Sequence, residues 1–445
     1  MNRSVIIIGA GLSGLVAAES LQRKGWRVTV LENCGRVGGR IQTDLVEGFL
    51  LDHGFQVFLT AYEQASKTLD CKKLDLGRFE SGALIFYNGK MMRVADPWRS
   101  PKHLFATAWA PFGTLFDKLR IVVFRRRVLR KSDLELIDGP ETTALEQLRQ
   151  EGFSKKIIDR FFRPFFGGIF LEPNLATSSA RMNFVFRNFS LGTASLPRDG
   201  MRAIPMQLAE RLKPGTIQFH TMADSIGGQE HHALTKQPEN ICHPQVVTLS
   251  DGRRLEADAV VVATEEPAAA ELLGFKPPAN VCGTSCLYFD VPNPPINEAT
   301  LVLNGEHDGP LCGPISCLCF PSYAQPSYAP AGKHLLSVSV QGQLTLSPEE
   351  LLCTTLGHLR TWFGDQVDQW RFLRSYRILY ALPSQTPNDL RLAKVSLGLQ
   401  NDRFMIREGV FRCGDYCETA SIEGAIRSGL AVAERVEMAF EPKCD

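Results

Sequence analysis

Residues 5–40, VIIIGAGLSGLVAAESLQRKGWRVTVLENCGRVGGR, contain the local pattern that decides the fold. The run 4–8 is almost wholly apolar, as is typical of a parallel strand that is buried on both faces. A glycine-rich stretch, 9–14, follows at once and leads into a helix-forming segment, and a second strand, 27–31, then ends at Glu32. This succession of strand, glycine turn, helix and strand predicts an α/β fold that begins with a Rossmann-type unit.

Three glycines in the first turn have the spacing of a dinucleotide-binding turn. The first permits a tight turn, the second lets the backbone approach a pyrophosphate, and the third lets the helix pack on the strand. Backbone amides at the start of the helix attract the diphosphate. Glu32, eighteen residues after Gly14, can accept hydrogen bonds from ribose hydroxyls and would repel a 2′-phosphate, which argues against NADP. The predicted nucleotide contacts are Gly9, Gly11, Leu12, Ser13, Gly14, Glu32 and Asn33.

A second pair of glycines, Gly38 and Gly39, follows within a few residues and is succeeded by Arg40. Glycines let the chain pass close to a ligand, and an arginine can pair with a phosphate. A simple NAD-binding domain would instead enter a loop or a helix here. The segment resembles the Gly-Gly-Arg segment of the FAD-dependent amine oxidase and phytoene desaturase superfamily, which includes the protoporphyrinogen oxidases. This resemblance implies that the dinucleotide is FAD and that these three residues contact it.

The stretch 410–436 resembles the second FAD motif of the same superfamily. It contains a short predicted strand, a Gly-Asp turn and a helical apolar face. The resemblance implies that the Gly-Asp pair meets the ribityl and phosphate part of FAD, and that the helix points its N-terminus at the pyrimidine end of the flavin. A positive helix end there would favour the reduced flavin. The contacts implied for this motif are Gly414, Asp415, Ser421, Ile422 and Ala425.

Two internal stretches, 215–226 and 255–273, resemble the middle segments of the flavin domain in this superfamily. The resemblance places the backbone of Ala223 at the adenine. It places Ala263 and Thr264 beside the cofactor, at the end of a buried strand.

These segments together predict how the chain is divided into domains. A Rossmann-type FAD-binding domain would be assembled from three sequence segments, 1–75, 195–275 and 405–440. The stretches 76–194 and 276–404 would form an interleaved α+β substrate domain with an antiparallel sheet and a helical lobe.

Residues 50–64 resemble the family segment that passes the isoalloxazine ring of the flavin. Gly54 would permit a close approach of the backbone, with Phe55 and Gln56 near the ring. His53 is the candidate catalytic residue, because its imidazole could move a proton near neutral pH. The alternative is that His53 only hydrogen-bonds a backbone carbonyl.

Two further stretches are candidates for the substrate side. Residues 160–173 contain five phenylalanines, which could form core or line an apolar cavity. Residues 103–133 combine apolar and aromatic residues with a basic cluster. They are either a helix with a solvated cationic face or an interfacial segment that settles on anionic lipid. The basic cluster consists of Arg125, Arg126, Arg127, Arg130 and Lys131.

Two features of amine oxidases that this sequence lacks indicate its branch of the superfamily. Amine oxidases of this fold typically carry a lysine that holds a water near flavin N5, and an aromatic pair that flanks the amine. The matching strand, 281–290, has no lysine, and Ser421 stands near the position of one aromatic. The stretch 52–56 and the aromatic lobe resemble the isoprenoid branch instead, namely phytoene desaturases, carotene isomerases and hydroxysqualene dehydroxylases.

The resulting prediction is an FAD-dependent oxidoreductase that transfers hydride between flavin N5 and an apolar substrate of isoprenoid or carotenoid type. Oxygen or a quinone would accept the electrons. Two alternatives stay open: oxidation of an amine or a tetrapyrrole with oxygen, and a flavin-binding protein without turnover.

Composition limits the remaining possibilities. The net charge of +1 gives no reason to expect a nucleic-acid partner. The sequence has neither a recognisable secretory signal nor an apolar run long enough to span a bilayer, which favours a cytoplasmic protein that could lie peripherally on a membrane. Its 12 cysteines include no C-x-x-C pair, so we expect reduced thiols and no metal site.

Overall fold

The computed structural model describes residues 3–95, 113–137, 139, 141–227, 244–278, 280–306, 312–342, 345–390 and 403–441. These residues form a mixed α/β structure with several sheets. Part of the basic and aromatic stretch 103–133, namely 103–112, lies outside the described residues.

A six-stranded sheet forms the first layer of the fold. Its strands come from the beginning, the middle and the end of the chain, and all neighbours are parallel except the last pair. The two central strands are buried along their length, as expected for a parallel sheet covered on both faces. In spatial order the strands are Ile217–Gln218, Arg27–Leu31, Ser4–Ile8, Ala259–Val262, Val410–Arg412 and Met405–Arg407.

The first helix, Leu12–Arg23, starts directly after the turn that follows the first strand. Gly9 has a φ of 106°, a conformation that residues with a Cβ rarely adopt. A Cβ on Gly14 would lie 2.1 Å from the carbonyl oxygen of Gly9, so only glycine allows the helix to start this close to the strand. The steric reason for the first and third glycines is therefore visible in the structure.

The last helix, Ile422–Phe440, packs against the first helix. The Ser13 hydroxyl donates a hydrogen bond to the Ala425 carbonyl at 2.8 Å. Both helices bury apolar side chains in one core, including Val16 and Val432. The two ends of the chain are thus joined beside the glycine turn.

A seven-stranded sheet forms the second layer. Neighbouring strands are antiparallel except for one parallel pair, Leu301–Asn304 with Gly82–Tyr87. The helix Pro348–Phe363 contributes Trp362 and Leu359 to the core on one side of this sheet. The spatial order is Arg371–Pro383, Val281–Asp290, Leu335–Gln341, Ile315–Cys319, Leu301–Asn304, Gly82–Tyr87 and Lys90–Ala95.

A helical lobe lies between the strands Lys90–Ala95 and Ala194–Leu196 in the sequence. It packs around a cluster of phenylalanines that includes Phe124, Phe162 and Phe166. Its elements are the helices Leu115–Leu129, Asp133–Ile137, Ala144–Gln150, Lys155–Ile157, Arg163–Phe170 and Ser179–Leu191, with a π-helical turn at Ile158–Phe162.

The other strands of the described residues lie in three small sheets. They contain Ala223–Gly227, Gln245–Leu249 and Arg254–Ala257; Thr43–Val46 and Phe49–Asp52; and Phe58–Leu59, Ala194–Leu196 and Gly77–Arg78. Further helices among the described residues are Glu63–Thr68, Ala203–Ala209, Glu266–Leu273 and Pro321–Ala324, with 3₁₀ turns at Pro326–Tyr328, Gly364–Gln369 and Asp415–Cys417.

Candidate functional site

One large cavity, of about 1290 Å³, is lined by both sheets and by the helical lobe. Ligand pockets are typically about 300–1,000 Å³. This cavity therefore has room for a cofactor and a second molecule.

The cavity brings together nearly all the cofactor contacts that the sequence predicts. Gly14 is the exception, since it lies behind the turn and serves the packing of helix on strand. The predicted residues that line the cavity are Gly9, Gly11, Leu12, Ser13, Glu32, Asn33, Gly38, Gly39, Arg40, Gly54, Phe55, Gln56, Ala223, Ala263, Thr264, Gly414, Asp415, Ser421, Ile422 and Ala425.

The start of the first helix offers space and donors for a pyrophosphate. Gly11 is the N-cap, no side chain caps the helix, and a Cβ on Gly11 would meet no atom within 4 Å. Unsatisfied amides and the helix dipole make such a terminus favourable for an anion. Thr264 lies beside Gly9, and its buried hydroxyl has no hydrogen-bond partner among the described residues. These features fit a bound dinucleotide.

Glu32 has a structural task beside the predicted contact with ribose. Its carboxylate, in a residue that is 9% exposed, accepts hydrogen bonds from the backbone amides of Ala10 at 2.9 Å and Cys34 at 2.8 Å. It thereby ties the glycine turn to the segment that leads to the second glycine pair. Nothing in the sequence pattern indicates that Glu32 accepts hydrogen bonds from these two amides.

Arg40 has a partner other than the predicted phosphate. Its guanidinium donates to the Asp415 carboxylate at 2.6 Å and to the Ala381 carbonyl at 2.9 Å, and it lies over the ring of Tyr380. Burial alone would lower the pKa of Arg40, but the charge of Asp415 raises it above its ordinary value. The ion pair joins the two FAD motifs that are farthest apart in the sequence.

His53 lines the cavity, and its imidazole contacts a carboxylate. Its Nε2 lies 3.0 Å from Asp44 Oδ2, and its ring stacks on Tyr376 with centroids 4.3 Å apart. Asp44 also accepts hydrogen bonds from Arg36 and from the Tyr376 hydroxyl. Although partial burial would raise it, these hydrogen bonds hold the pKa of Asp44 well below its ordinary value. The imidazole is therefore fixed by a lasting negative charge.

Asp52, directly before His53, is a buried acid that sequence analysis did not single out. Its carboxylate accepts hydrogen bonds from the Thr43 hydroxyl at 2.5 Å, the Tyr328 hydroxyl at 2.8 Å and the Met201 amide at 3.1 Å. Complete burial outweighs these contacts and raises the pKa of Asp52 to about 6. Asp52 thereby connects the hairpin 43–52, which directly precedes His53, with Tyr328 and Met201.

The phenylalanine-rich stretch 160–173 contributes both to core and to cavity. Phe161 and Phe165 line the cavity, whereas Phe162 and Phe166 are fully buried behind them. Phe165 meets Phe189 edge to face, with centroids 5.2 Å apart. Because residues three or four apart share one face of a helix, Phe161 and Phe165 face the cavity while Phe162 and Phe166 face the core.

The basic cluster in 125–131 does not form a single cationic surface, although the membrane interpretation expects one. Arg125 lines the cavity and donates to the Ser190 carbonyl, while Arg127 pairs with Glu151. Arg126, Arg130 and Lys131 are exposed. A helix turns successive side chains by about 100°, so neighbouring arginines face different surroundings.

The strand Val281–Asp290 contributes Thr284 to the cavity. The Thr284 hydroxyl donates to the Val340 carbonyl at 3.1 Å. Thr284 and another cavity residue, Lys118 on the first helix of the lobe, were missed by sequence analysis. No motif marks either residue, because their neighbours in space are remote in sequence.

Comparison with known proteins establishes the family. The model of the flavin-containing amine oxidoreductases matches residues 12–437. The chain belongs to this family. It is an FAD-dependent oxidoreductase, and the prediction of FAD is confirmed.

Individual relatives differ in how much they share with the chain. Coproporphyrinogen III oxidase of Propionibacterium freudenreichii subsp. freudenreichii is 27% identical over 429 residues, which cover 81% of this chain and 77% of that protein. Protoporphyrinogen oxidase 2 of Arabidopsis thaliana is also 27% identical, but the match spans only 37% of this chain and 32% of that protein.

A solved structure shows the likeness of fold over nearly the whole chain. Cyclohexylamine oxidase from Brevibacterium oxydans matches with a TM-score of 0.66 and 17% identity, covering 98% of this chain and 100% of the other. Putrescine oxidase bound to putrescine matches with a TM-score of 0.69 and 16% identity, covering 98% and 99%. At such identities the likeness concerns the fold.

Glu32→Lys is expected to abolish FAD retention. The substitution removes the acceptor of two backbone amides and of the predicted ribose contact, and it adds a positive charge to the cavity that Arg40 also lines. The wild-type protein should be yellow and release FAD on denaturation. The ratio of flavin to protein after gel filtration measures the effect. Glu32→Gln keeps an oxygen acceptor and should retain more FAD; equal retention by Glu32→Lys and wild type would show that the ribose pocket is misplaced.

Asp52→Asn is expected to change how stability depends on pH. The folded pKa of about 6 lies above the ordinary value of 3.8, so the unfolded chain loses this proton first as the pH rises. The stability contributed by the neutral acid is therefore complete below about pH 4 and is lost as the pH rises through about 6. As the pH rises between these limits, the unfolding free energy of the wild type should fall by up to about 3 kcal/mol relative to that of Asp52→Asn. Urea denaturation at each pH measures it, and a difference that stays constant would contradict the expectation.

Proposed function

We propose that the protein transfers hydride between flavin N5 and an apolar substrate of isoprenoid or carotenoid type, as a desaturase, isomerase or dehydroxylase. The observation that carries this proposal is the aromatic and aliphatic wall of the cavity beyond the FAD motifs. Phe161, Phe165, Phe186 and Phe189 line it together with Ile169 and Leu301. Such a wall favours an apolar molecule and excludes water from the reacting atoms.

We also propose how the chain is divided into two domains. The FAD-binding domain would comprise 1–75, 195–275 and 405–440, and the substrate domain 76–194 and 276–404. All six strands of the first sheet fall in the former segments. The seven-stranded sheet and the helical lobe fall in the latter.

The chain's own residues would bind, orient and move a proton, while bound FAD supplies the hydride acceptor. The open first turn of the helix after Gly11 would hold the pyrophosphate, and Glu32 the ribose. His53 would move a proton. Asp44 accepts a hydrogen bond from its Nε2 in the tautomer that leaves Nδ1 as the basic atom.

A second candidate is oxidation of a tetrapyrrole with oxygen. It is supported by the relative that oxidises coproporphyrinogen III and aligns over 81% of the chain. Amine oxidation has less support from the site, because the strand Val281–Asp290 presents Thr284 to the cavity and contains no lysine. A quinone remains an alternative to oxygen as the acceptor of electrons in the first proposal.

The decisive experiment is anaerobic mixing of the holoprotein with candidate substrates, followed by flavin absorbance and mass spectrometry of the products. Linear terpenoids such as squalene, hydroxysqualene and phytoene should be converted, whereas putrescine and cyclohexylamine should leave the flavin oxidised. Phe165→Ser should lower conversion about tenfold or more without loss of flavin, because it makes the cavity wall polar. Phe372→Ser, on an exposed side chain that does not line the cavity, is the matched control. Faster reduction by an amine or by coproporphyrinogen III would refute the isoprenoid substrate.

We further propose that the helix Leu115–Leu129 contacts an anionic lipid surface. Among the described residues no helix is long and apolar enough to cross a membrane. On this helix, however, Leu115, Phe116, Leu119 and Val123 are between 59% and 72% exposed. Leu115 and Leu119 also line the cavity, so lipid contact here would let an apolar substrate enter without crossing water.

Sedimentation with vesicles tests this contact. Three exposed cations, Arg126, Arg130 and Lys131, would each contribute about 1 kcal/mol near an anionic surface. Their replacement by Glu should release the protein from anionic vesicles, as should added salt, with the flavin spectrum unchanged. Leu115→Ser with Phe116→Ser should also weaken binding. Equally poor binding of the wild type to neutral and anionic vesicles at low salt would contradict the proposal.

A further inference from the structure

The first turn of the last helix carries a buried acid that does not line the cavity. Glu423 is the second residue of the helix Ile422–Phe440, and it is 0% exposed. Its Oε1 accepts a hydrogen bond from the Gln64 amide at 3.0 Å, and its Oε2 accepts one from the Ala65 amide at 2.9 Å. Because each oxygen accepts from a backbone N–H, this geometry fits an ionised carboxylate.

The charge of Glu423 has no close counter-ion. Among the described residues it forms no ion pair within 4 Å, and the cation that acts on it is Arg427, which also lies 3.9 Å from Glu418 Oε2. Burial raises the pKa of Glu423 above its ordinary value, and the two amides and Arg427 offset this only in part. Other charged groups near Glu423 form ion pairs with one another, namely Glu63 with Lys67 and Asp133 with Arg187.

Glu423 lies directly behind the wall of the cavity. Its neighbours Ile422 and Ala425 on the same helix line the cavity, and so does Tyr62, which is only 7% exposed. Burial and the charge of Glu423 together raise the pKa of the Tyr62 hydroxyl. The electrostatic field of the buried carboxylate therefore reaches groups that face the cavity.

The flavin half of FAD is expected at this part of the wall. With its ribose at Glu32 and its pyrophosphate at the turn after Gly11, FAD would extend towards the start of the last helix, which the hydrogen bond from Ser13 to Ala425 joins to that turn. Hydride transfer to flavin N5 brings two electrons and one proton, so it adds one negative charge to the flavin. The carboxylate of Glu423 opposes this charge, whereas the positive end of the helix favours it.

We propose that the buried carboxylate of Glu423 lowers the reduction potential of the bound FAD. The inference rests on the FAD site and does not depend on the class of substrate. A charge that is withdrawn from water is weakly screened, so it destabilises the reduced flavin relative to the oxidised flavin. A lower potential makes the reduced flavin a stronger hydride donor and the oxidised flavin a weaker acceptor. Glu423 acts through its charge and is not a catalytic residue.

Anaerobic redox titration of the holoprotein against a reference dye tests this effect. A pH of about 8.5 keeps the acid ionised although burial raises its pKa. Glu423→Gln keeps the size of the side chain and removes its charge. At a fixed applied potential it should raise the ratio of reduced to oxidised flavin about tenfold, which is about 30 mV for a two-electron couple. Glu423→Asp keeps the charge and should stay near the wild-type potential.

Two further variants separate the buried charge from other effects. Glu63→Gln is the matched control, because it removes the same charge from an exposed side chain of the helix that Glu423 contacts, where water screens it. It should leave the potential unchanged. Arg427→Gln removes the opposite charge and should lower the potential. The charged residues that line the cavity stay the same in every variant, namely Glu32, Arg40, Glu80, Lys118, Arg125, Asp224, Glu265, Glu271 and Asp415.

The outcomes decide the proposal without reference to the substrate. A wild-type or lower potential in Glu423→Gln would overturn it, as would an equal rise in Glu423→Asp or Glu63→Gln. If Glu423→Gln does not retain flavin, Arg427→Gln decides: a lower potential supports the proposal, and an unchanged or higher one refutes it. Flavin content and melting temperature check that each variant is folded. Refutation here leaves the proposed hydride transfer to an apolar substrate standing.

Discussion

The carboxylate of Glu32 holds together the part of the structure on which everything else depends. It is almost fully buried at the edge of the first sheet, and it bonds the amides of Ala10 and Cys34. One acid thus fixes the glycine turn and the start of the loop that leads to Gly38 and Gly39. Since a charged hydrogen bond to a backbone amide is stronger than a neutral one, the geometry of both loops is stabilised before any ligand arrives.

The C-terminal part closes the site by two contacts that span the sequence. Arg40 pairs with Asp415 across a separation of 375 residues, and Ser13 bonds Ala425 across 412. The first contact joins loops, and the second joins the beginnings of two helices. Because both contacts lie at the cavity, docking of the last helix and completion of the cofactor site are the same structural event.

The cavity changes character along its length. Its sheet end is made of turns, backbone amides and hydrogen-bonded acids, which suits a charged dinucleotide. Its lobe end is made of phenylalanine and aliphatic side chains on short helices, with two cations added by one helix. His53 also lines the cavity, and Asp44 and Tyr376 hold it at the end of the hairpin that Asp52 anchors.

Sequence by itself determined the elements whose signal is local. The strands 4–8 and 27–31 follow from apolar runs that flank the glycine turn, and the family resemblance adds the strand 281–290; all three strands occur in the structure with those bounds. The same local patterns, with the family resemblance, predicted FAD. They succeeded because a glycine turn constrains its own backbone and a buried strand needs an apolar run.

Tertiary structure decided what each side chain in these elements meets. The motif predicted a phosphate partner for Arg40, but in the folded chain Arg40 pairs with Asp415. It treated 125–131 as one basic cluster, but the helix turns Arg125 into the cavity, leaves Arg126 in water and pairs Arg127 with Glu151. Asp52 and Lys118 carried no motif at all. Burial and ion pairing depend on partners tens to hundreds of residues away, and only the packed chain brings those partners within a few ångströms.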